Sequence, residues 1–320
     1  MIYIDIRKGI CMKKKALAMV LLLVILGSAF APAVLAGGEN RTGSTSAAPK
    51  YPILLVHGAG FRDITFGIGY WGRIPQALEA QGAKVFYAGT DAWGSIEDSA
   101  ANIKRKIESI LAETNSKKVN IIAHSKGGLE SRYMISSLGM ANKVASLTTI
   151  STPHHGSVMV EKLASVPDWL YKGFSEVMNF FFGFHGLGLK GDNDPDFYYG
   201  SQSLLPEYMK KFNAKNPNKR GVYYQSFAGA MNEPKSDIIL SITSYVGSKL
   251  EGENDGMVAV DSAKWANYRG TLRGAAERGV SHLDEVDFRR KDVAIVPVLG
   301  AKTVLEFYAA VAADLAKRGY

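Results

Sequence analysis

The chain is nearly free of cysteine: its 320 residues contain one, Cys11. A single thiol cannot form an intramolecular disulfide, so no such bridge stabilises the fold. Because Cys11 precedes the apolar N-terminal run, the sequence also lacks the lipobox of a lipoprotein. It has no repeat of fixed period and no long low-complexity run. A composition of 47% hydrophobic and 21% charged residues is typical of a globular protein.

The apolar run near the N-terminus is short for a helix that spans a lipid bilayer. Three lysines at positions 13–15 precede the apolar stretch 16–30, and the small-residue segment APAVLA ends at Ala36. This order is typical of a secretory signal peptide, which we predict over residues 1–36. The alternative, a membrane-anchor helix, is disfavoured by the short run. We therefore expect a secreted, extracellular protein without a permanent membrane anchor.

Clustered basic residues are also missing downstream of this segment. The net charge is +8, and the predicted signal peptide holds five Lys/Arg and one Asp, so its removal leaves +4. A mildly basic chain without a basic patch does not indicate nucleic-acid binding. Residues 37–49 are rich in Gly, Ser and Thr and are predicted to form a flexible lead-in.

From Tyr51 onward, strand-like and helix-like segments alternate. YPILLVHG, AKVFYAG, VNIIAH and KVASLTTIST have the apolar runs of buried strands, whereas 71–82 and 95–114 have helical spacing. Ser95 is positioned to cap the second helix. Strand character returns at 222–230, and the C-terminal VLEFYAAVAADLAKRGY is an amphipathic helix. This alternation predicts an α/β fold with a mostly parallel central sheet and helices on both faces.

The segment AHSKG places Ser125 between a predicted strand and a predicted helix. It is a variant of the G-x-S-x-G nucleophile elbow of α/β-hydrolases, in which small residues flank a sharp turn that exposes the serine oxygen. Ala123 and Gly127 satisfy this requirement. A plain Ser-Gly turn is the alternative, but the strand before and the helix after are the context that the motif requires.

A serine nucleophile needs a base, and in α/β-hydrolases the order along the chain is Ser, acid, His. Four histidines follow the serine: His154, His155, His185 and His282. The first two come directly after the next strand, too early to follow an acid on a later strand, and the third lies in an aromatic insertion. His282 in VSHLDEV comes late, opens a predicted helix, and is the predicted base.

The acid is expected between the insertion and the base. Asp255 in LEGENDGMVAV lies in a polar turn beside Gly256, which lets the loop bend tightly. Asp237 and Asp261 remain alternatives. For the oxyanion hole, the fold supplies two backbone N–H groups: one from Lys126, after the nucleophile, and one from Ala59, in the HGAGF loop after the first strand.

These segments together carry a resemblance to a known family. YPILLVHG, AHSKGG, STPHHGS, NDGMV and HLDEV occur in the order found in secreted true lipases of the Pseudomonas/Burkholderia type, and FGIGYWGRI resembles thermophilic Gram-positive lipases. The similarity runs over most of the chain from Tyr51. It implies an α/β-hydrolase domain over residues 50–320 with Ser125 as nucleophile, Asp255 as acid and His282 as base. It also implies Ala59 and Lys126 as oxyanion donors.

The resemblance further implies a structural calcium near the catalytic histidine, with no cofactor for catalysis. The family's carboxylate in the His-Leu-Asp motif matches Asp284, and its second carboxylate, in an Asp-Pro step, matches Glu233 before Pro234. The chain departs from the family's calcium ligands at two positions. Glu233 replaces an aspartate, and Phe288 stands where the family supplies a side-chain oxygen. Calcium takes six to eight oxygen ligands, so water or backbone would have to replace a lost one. The family's disulfide is absent, and the sequence does not reveal whether a secretion chaperone is required.

An aromatic insertion at about 157–200 includes Trp169, Phe174, Phe181 and Phe182. We expect a helical lid whose apolar face turns outward at a lipid surface, with a static cap as the alternative. The predicted activity is hydrolysis of triacylglycerol esters at a lipid–water interface. A soluble carboxylesterase or phospholipase with the same triad is the second hypothesis, and a binding protein on an inactive hydrolase fold is the third.

Overall fold

The structure, a computed structural model, describes residues 48–60, 63–65, 68–91, 94–165, 167, 197–238 and 240–320. All of these belong to the compact unit Ser44–Tyr320. The predicted signal peptide at 1–36 and the aromatic residues assigned to the lid, Trp169, Phe174, Phe181 and Phe182, lie outside the described residues. Within the described ranges, no helix combines the length and apolarity needed to cross a bilayer.

The strands of the described chain form one large sheet and two small antiparallel pairs. They are β1 (Ile53–Val56), β2 (Ile64–Thr65), β3 (Ile68–Gly69), β4 (Val85–Tyr87), β5 (Val119–His124), β6 (Val144–Ile150), β7 (Tyr223–Ala230), β8 (Asn267–Arg273), β9 (Ala294–Val298) and β10 (Ala301–Thr303). The helices that accompany them are α1 (Ile74–Glu79), α2 (Ile96–Thr114), α3 (Lys126–Ser136), α4 (Val158–Ala164), α5 (Phe197–Gln202), α6 (Pro206–Lys215), α7 (Ser241–Leu250), α8 (Val260–Ala263) and α9 (Val304–Lys317).

The six strands of the large sheet are all parallel, in the order β4-β1-β5-β6-β7-β8. Parallel strands need crossover connections, and several of these contain helices that cover the sheet. The predicted α/β-hydrolase fold with a mostly parallel sheet is therefore confirmed. The carboxyl ends of β1, β5, β7 and β8 meet at one edge, which is where ligands bind in open sheets of this kind.

Alternate residues of β1 and β5 point to opposite faces and build two cores. Ile53, Leu55 and Ile122 pack with α1 and α9 on one face. Leu54 and Ile121 pack with α2 and α3 on the other. Burying apolar residues on both faces gives about 25 cal/mol per Å² of buried apolar area, which is the main stabilisation of such a sheet.

Helix α2 follows its sequence signals closely. The Ser95 hydroxyl accepts a hydrogen bond from the Asp98 N–H at 3.0 Å, as expected of an N-cap. The helix ends at Asn115, whose φ of 51° is left-handed, a conformation that asparagine tolerates better than most residues. Its apolar stripe, including Ile103 and Ile107, faces the sheet.

One local prediction is wrong. Residues 282–289 form successive turns rather than the helix expected after His282. Asp287 has a left-handed φ of 51°, which a right-handed helix cannot contain. Its carboxylate accepts hydrogen bonds from the Arg73 backbone N–H at 2.8 Å and from the Arg73 side chain. This distant partner, 214 residues away, overrides the local helical pattern.

Candidate active site

Ser125 lies at the tip of a strained turn between β5 and α3. Its φ of 54° and ψ of −133° are outside the regions that ordinary residues adopt, which is the strain expected of a nucleophile elbow. All other residues from Val119 to Arg132 are buried, and the serine alone in this run keeps partial exposure. The turn therefore holds one hydroxyl at the solvent-facing edge of the sheet.

The elbow is possible because its glycines leave no side chain in the way. A Cβ on Gly127 would come within 2.4 Å of the His57 carbonyl oxygen, and one on Gly128 within 2.1 Å of the Thr152 Oγ1. A Cβ on Gly58, in the loop after β1, would lie 2.7 Å from the Cβ of Ser125. The predicted need for a small residue at 127 thus follows from backbone contacts across the turn.

His282 and Asp255 come together at the same edge. His282 Nδ1 lies 2.7 Å from the buried Asp255 Oδ2. Asp255 Oδ1 accepts hydrogen bonds from the Met257 and Val258 N–H groups, both at 2.8 Å. The His282 N–H also donates to the Asp255 carbonyl oxygen at 2.9 Å. The His282 ring centre lies 4.3 Å from that of His124, the residue directly before the elbow serine.

The electrostatics of the Asp255 carboxyl favour its charged form. Burial raises its pKa, but the charge of His282 and the hydrogen bonds from His282, Val258 and Met257 outweigh this effect, so the net pKa is lowered. An ionised carboxylate fixed on Nδ1 leaves Nε2 of the neutral ring as a proton acceptor.

The alternative bases are engaged elsewhere. His154 is buried, contacts Thr149 Oγ1 at 3.0 Å and stacks on Trp265, and burial lowers its pKa well below the usual value. His155 contacts the Lys264 carbonyl oxygen at 3.1 Å, and His185 lies outside the described residues.

The alternative acids are engaged elsewhere as well. Asp237 pairs with Arg289, and Asp261, which is 80% exposed, pairs with Lys264. Of the histidines after the elbow that the structure describes, only His282 makes a hydrogen bond to a carboxylate.

The predicted oxyanion donors occupy the expected elements. Lys126 begins α3, and the first N–H groups of a helix have no partner within it. Ala59 lies in the loop after β1, next to Gly58. His57 shapes this loop, because its Nδ1 contacts the Gly58 carbonyl oxygen at 2.8 Å and its Nε2 contacts the Thr90 carbonyl oxygen at 3.0 Å.

A buried polar chain behind the site was not predicted from the sequence. The Gly58 N–H donates to the Tyr70 hydroxyl at 3.1 Å, and this hydroxyl lies 2.6 Å from His124 Nδ1. His124 Nε2 lies 3.1 Å from Glu285 Oε2, and Ser151 Oγ donates to Glu285 Oε1 at 2.8 Å. These hydrogen bonds join the loop after β1, the elbow, and the segment that carries the predicted base.

The pKa shifts of the two ionisable side chains in the middle of this hydrogen-bonded series, Glu285 and His124, both favour the neutral form. Burial raises the pKa of Glu285 well above its usual value, and the charge of Asp255 raises it further. Burial also lowers the pKa of His124. These shifts favour a neutral hydrogen bond between them over an ion pair, and they reduce the negative charge beside Asp255.

The side chain of Lys126 has a separate role that only its spacing to Glu130 could have suggested. It is 1% exposed, its Nζ lies 2.5 Å from Glu130 Oε1, and it donates to the Gly94 carbonyl oxygen at 2.6 Å. A buried cation one turn from a carboxylate on the same helix is paired within the helix. The contact ties the start of α3 to the loop before α2.

The expected calcium ligands are each paired with a basic side chain. Glu233 is 44% exposed, pairs with Lys235 at 2.8 Å and caps the short turn at Pro234–Ser236. Asp284 is buried, and its carboxylate accepts hydrogen bonds from Arg278. Within the described chain, the one cluster of His, Cys, Asp and Glu side chains with the spacing of metal ligands contains neither residue; its members are His124, His282 and Glu285. Glu233 and Asp284 therefore do not fit the calcium that the resemblance implied.

Comparisons with known proteins agree with this architecture. Residues 52–194 match the family described as palmitoyl protein thioesterase. The chain is 30% identical to triacylglycerol lipase 2 of Saccharomyces cerevisiae, over 79% of this chain and 75% of the yeast protein. It is 29% identical to a triacylglycerol lipase of Vibrio cholerae, over 83% and 90% of the two chains.

A solved metagenomic carboxyl esterase superposes with a TM-score of 0.62 at 17% identity, covering 89% of this chain and 82% of that one. At this identity the likeness supports the fold alone. The yeast relationship, by contrast, extends over most of both chains. The chain belongs to the triacylglycerol lipase family, and it is a lipase, a carboxylic ester hydrolase.

Proposed function

We propose that Ser125, His282 and Asp255 are the nucleophile, base and acid of this lipase, and that it hydrolyses triacylglycerol esters through an acyl-enzyme. The observation that carries the proposal is the 2.7 Å contact between His282 Nδ1 and the buried Asp255 carboxylate, at the sheet edge where the strained serine lies. An ionised acid, an oriented imidazole and a partly exposed hydroxyl are the parts that acyl transfer requires.

In the acylation step, His282 Nε2 takes the Ser125 hydroxyl proton while the serine oxygen attacks the ester carbonyl carbon. The carbonyl π electrons move to oxygen and form a tetrahedral oxyanion. When the carbonyl re-forms, the bond to the alcohol oxygen breaks, and the imidazolium returns the proton to this leaving group. Asp255 stabilises the imidazolium throughout. Deacylation repeats the sequence with water as the nucleophile and releases the fatty acid.

The oxyanion is stabilised by the N–H groups of Ala59 and Lys126. The Lys126 N–H belongs to the first turn of α3, where the helix dipole also favours negative charge. The approach of the Ala59 loop to the elbow depends on Gly58, since a side chain there would collide with Ser125. Loss of one such donor typically costs about 10²–10³ in kcat.

The proposed substrate is a long-chain ester at a lipid–water interface. Large apolar side chains are exposed on the segments that precede and follow Asp255, which suits contact with acyl chains; they are Ile238, Tyr245, Leu250 and Met257. The relatives' activity as triacylglycerol lipases supports the same substrate class. Export through the signal peptide at 1–36, as in the Pseudomonas/Burkholderia lipases, and a lid at 157–200 are part of this proposal.

The testing experiment is Ser125→Ala, with Ser116→Ala as the matched control. The Ser116 hydroxyl donates to the Lys118 carbonyl in the loop before β5, at the opposite end of that strand from the elbow. We expect Ser125→Ala to lower kcat by about 10⁶ and to abolish labelling by a fluorophosphonate. The control should retain both. Labelling of Ser125→Ala at the wild-type level would refute the nucleophile.

Assays of p-nitrophenyl esters of increasing chain length decide the substrate class. A preference for long chains that rises when substrate exceeds its solubility supports the lipase proposal. A preference for soluble short chains favours the carboxylesterase alternative.

A further inference from the structure

Two buried carboxylates and two partly exposed arginines form a cluster directly beside the proposed catalytic histidine; it consists of Asp237, Arg278, Ser281, Asp284 and Arg289. The side chains of Asp237 and Asp284 are 1% and 2% exposed. Two buried carboxylates need compensating positive charge, because an unpaired buried charge is strongly destabilising. Ser281, which precedes His282, lies between them.

Asp284 is surrounded by hydrogen-bond donors. Arg278 Nη2 lies 3.0 Å from each of its carboxylate oxygens, and Arg289 Nη1 lies 3.4 Å from Oδ1. The Ser281 N–H and hydroxyl donate to Oδ2 at 3.2 and 2.9 Å. The carboxylate thus fixes the backbone and the side chain of the residue before His282.

Asp237 completes the cluster from a distant segment. Its two oxygens accept from Arg289 Nη1 at 2.5 Å and Nη2 at 2.9 Å, a bidentate pair. The Ser281 hydroxyl lies 2.7 Å from Asp237 Oδ2, within reach of both carboxylates. Arg278 Nε also donates to the Ser236 carbonyl oxygen at 3.0 Å, which ties the same two segments together.

These contacts leave no place for a divalent ion between the two carboxylates. Calcium binds through oxygen ligands, and a guanidinium group offers only N–H donors and no acceptor. Arg278 and Arg289 already supply two positive charges, which balance the two negative charges of Asp237 and Asp284. A calcium ion there would have to displace both guanidinium groups from the carboxylates.

We propose that Arg278 and Arg289 perform in this chain the task that a structural cation performs in the lipases it resembles. They hold Ser281 between two carboxylates, and thereby position His282 against Asp255. Arg289 is a positioning residue, which acts through Ser281 and His282. The enzyme then needs no calcium for stability or turnover; the turnover part of this inference rests on the proposed triad.

The first experiment tests metal independence on the wild-type chain. The protein is analysed for bound metal as purified, and it is then dialysed against EDTA and melted with and without added calcium chloride. We expect far less than one calcium per chain and a Tm unchanged by either treatment. Stoichiometric calcium, or a Tm that EDTA lowers and calcium restores, would overturn the proposal, since a ligand that binds the native state raises its Tm.

The second experiment tests positioning with Arg289→Gln and Arg289→Lys. The control is Arg290→Gln, because Arg290 is exposed and its guanidinium lies 3.5 Å from the Phe288 carbonyl oxygen. On a soluble short-chain ester we expect Arg289→Gln to lower kcat at least about tenfold with little change in KM, because misplacement of a catalytic group by about 1 Å costs about 10². Arg289→Lys should recover part of the kcat, and Arg290→Gln should match wild type.

Arg289→Gln should also lower Tm by about 5 °C, because it leaves buried Asp237 without its main partner. If Arg289→Gln does not fold, Arg278→Gln serves as the second variant, since the bidentate Asp237–Arg289 pair remains and the same kcat loss is expected. Wild-type kcat and Tm in these variants would overturn the proposal. Failure of wild type to react with a fluorophosphonate would instead refute the triad and leave the EDTA result as the test of the cluster.

Discussion

Replacement of Asp255 by asparagine tests the electrostatics of the site most directly. The carboxylate is fully buried; one oxygen accepts from the Met257 and Val258 N–H groups and the other from His282 Nδ1. Asparagine can keep the first oxygen and both of its backbone hydrogen bonds, so the loop should remain folded. The second oxygen becomes an NH₂ group, which cannot accept the proton on Nδ1.

The expected fall in kcat of Asp255→Asn has two causes. A unit charge pair at 4 Å in an effective dielectric of about 20 is worth about 4 kcal/mol, which corresponds to about three orders of magnitude in rate when the imidazolium forms. The His282 ring also turns to the tautomer that carries its proton on Nε2, so it cannot take the proton of Ser125. Together these effects should lower kcat by about 10⁴.

The assay is kcat on a soluble ester, with thermal melting to show that the variant is folded. Asp261→Asn is the matched control, because Asp261 is 80% exposed and pairs with Lys264 at the surface. We expect the control to keep wild-type kcat. A folded Asp255→Asn variant with more than about a tenth of wild-type kcat would refute the reasoning, and an inactive Asp261→Asn would transfer the role to that residue.

Two further substitutions test the frame around the triad. Tyr70→Phe removes the hydroxyl that joins the Gly58 N–H to His124, so we expect a loss of about 1–3 kcal/mol in the free energy of unfolding and a lower kcat; an unchanged urea midpoint would contradict this. Gly127→Ala places a Cβ 2.4 Å from the His57 carbonyl oxygen, and overpacking of this kind costs about 1–3 kcal/mol. A melting curve equal to that of wild type would show that the elbow can relax.

The sequence predicts best those parts of the site whose signals lie within one short segment of the chain. Ser125 can be found because a buried strand, a small-residue turn and a helix follow one another within about twenty residues. Ser95 marks the start of α2 for the same reason, since a cap needs only its own first turn. The pairing of Asp255 with His282 was suggested by chain order and by resemblance, and the structure brings their side chains together.

Contacts between distant segments could not be predicted in this way. Asp237 and Arg289 are 52 residues apart, and Tyr70 and His124 are 54 apart. None of these residues has a neighbour in sequence that indicates its partner. Strands such as β8 were also not predicted. Its half-buried residues at the sheet edge lack the continuous apolar run of a central strand.

The calcium expectation illustrates the difference between a matched position and a matched environment. Asp284 occupies the position of the family's ligand, yet what a carboxylate binds depends on the charges that the fold brings to it. Here those charges come from Arg278 and Arg289, which a comparison limited to the ligand positions does not consider. Phe288, at a position that supplies an oxygen in the family, packs against the core instead.

The buried polar groups of this site explain why its three loops can be held without a disulfide. Water would otherwise solvate the loops after β1, β5 and β8, and each would sample many conformations at a cost to catalysis. Tyr70 and Glu285 connect all three through hydrogen bonds, and burial raises the pKa of Glu285, which favours its neutral form. The charged groups Asp237 and Asp284 are buried only where arginines pair with them. Asp255, in contact with His282 Nδ1, supplies in the proposed mechanism the negative charge that stabilises the imidazolium, which is the arrangement that acyl transfer requires.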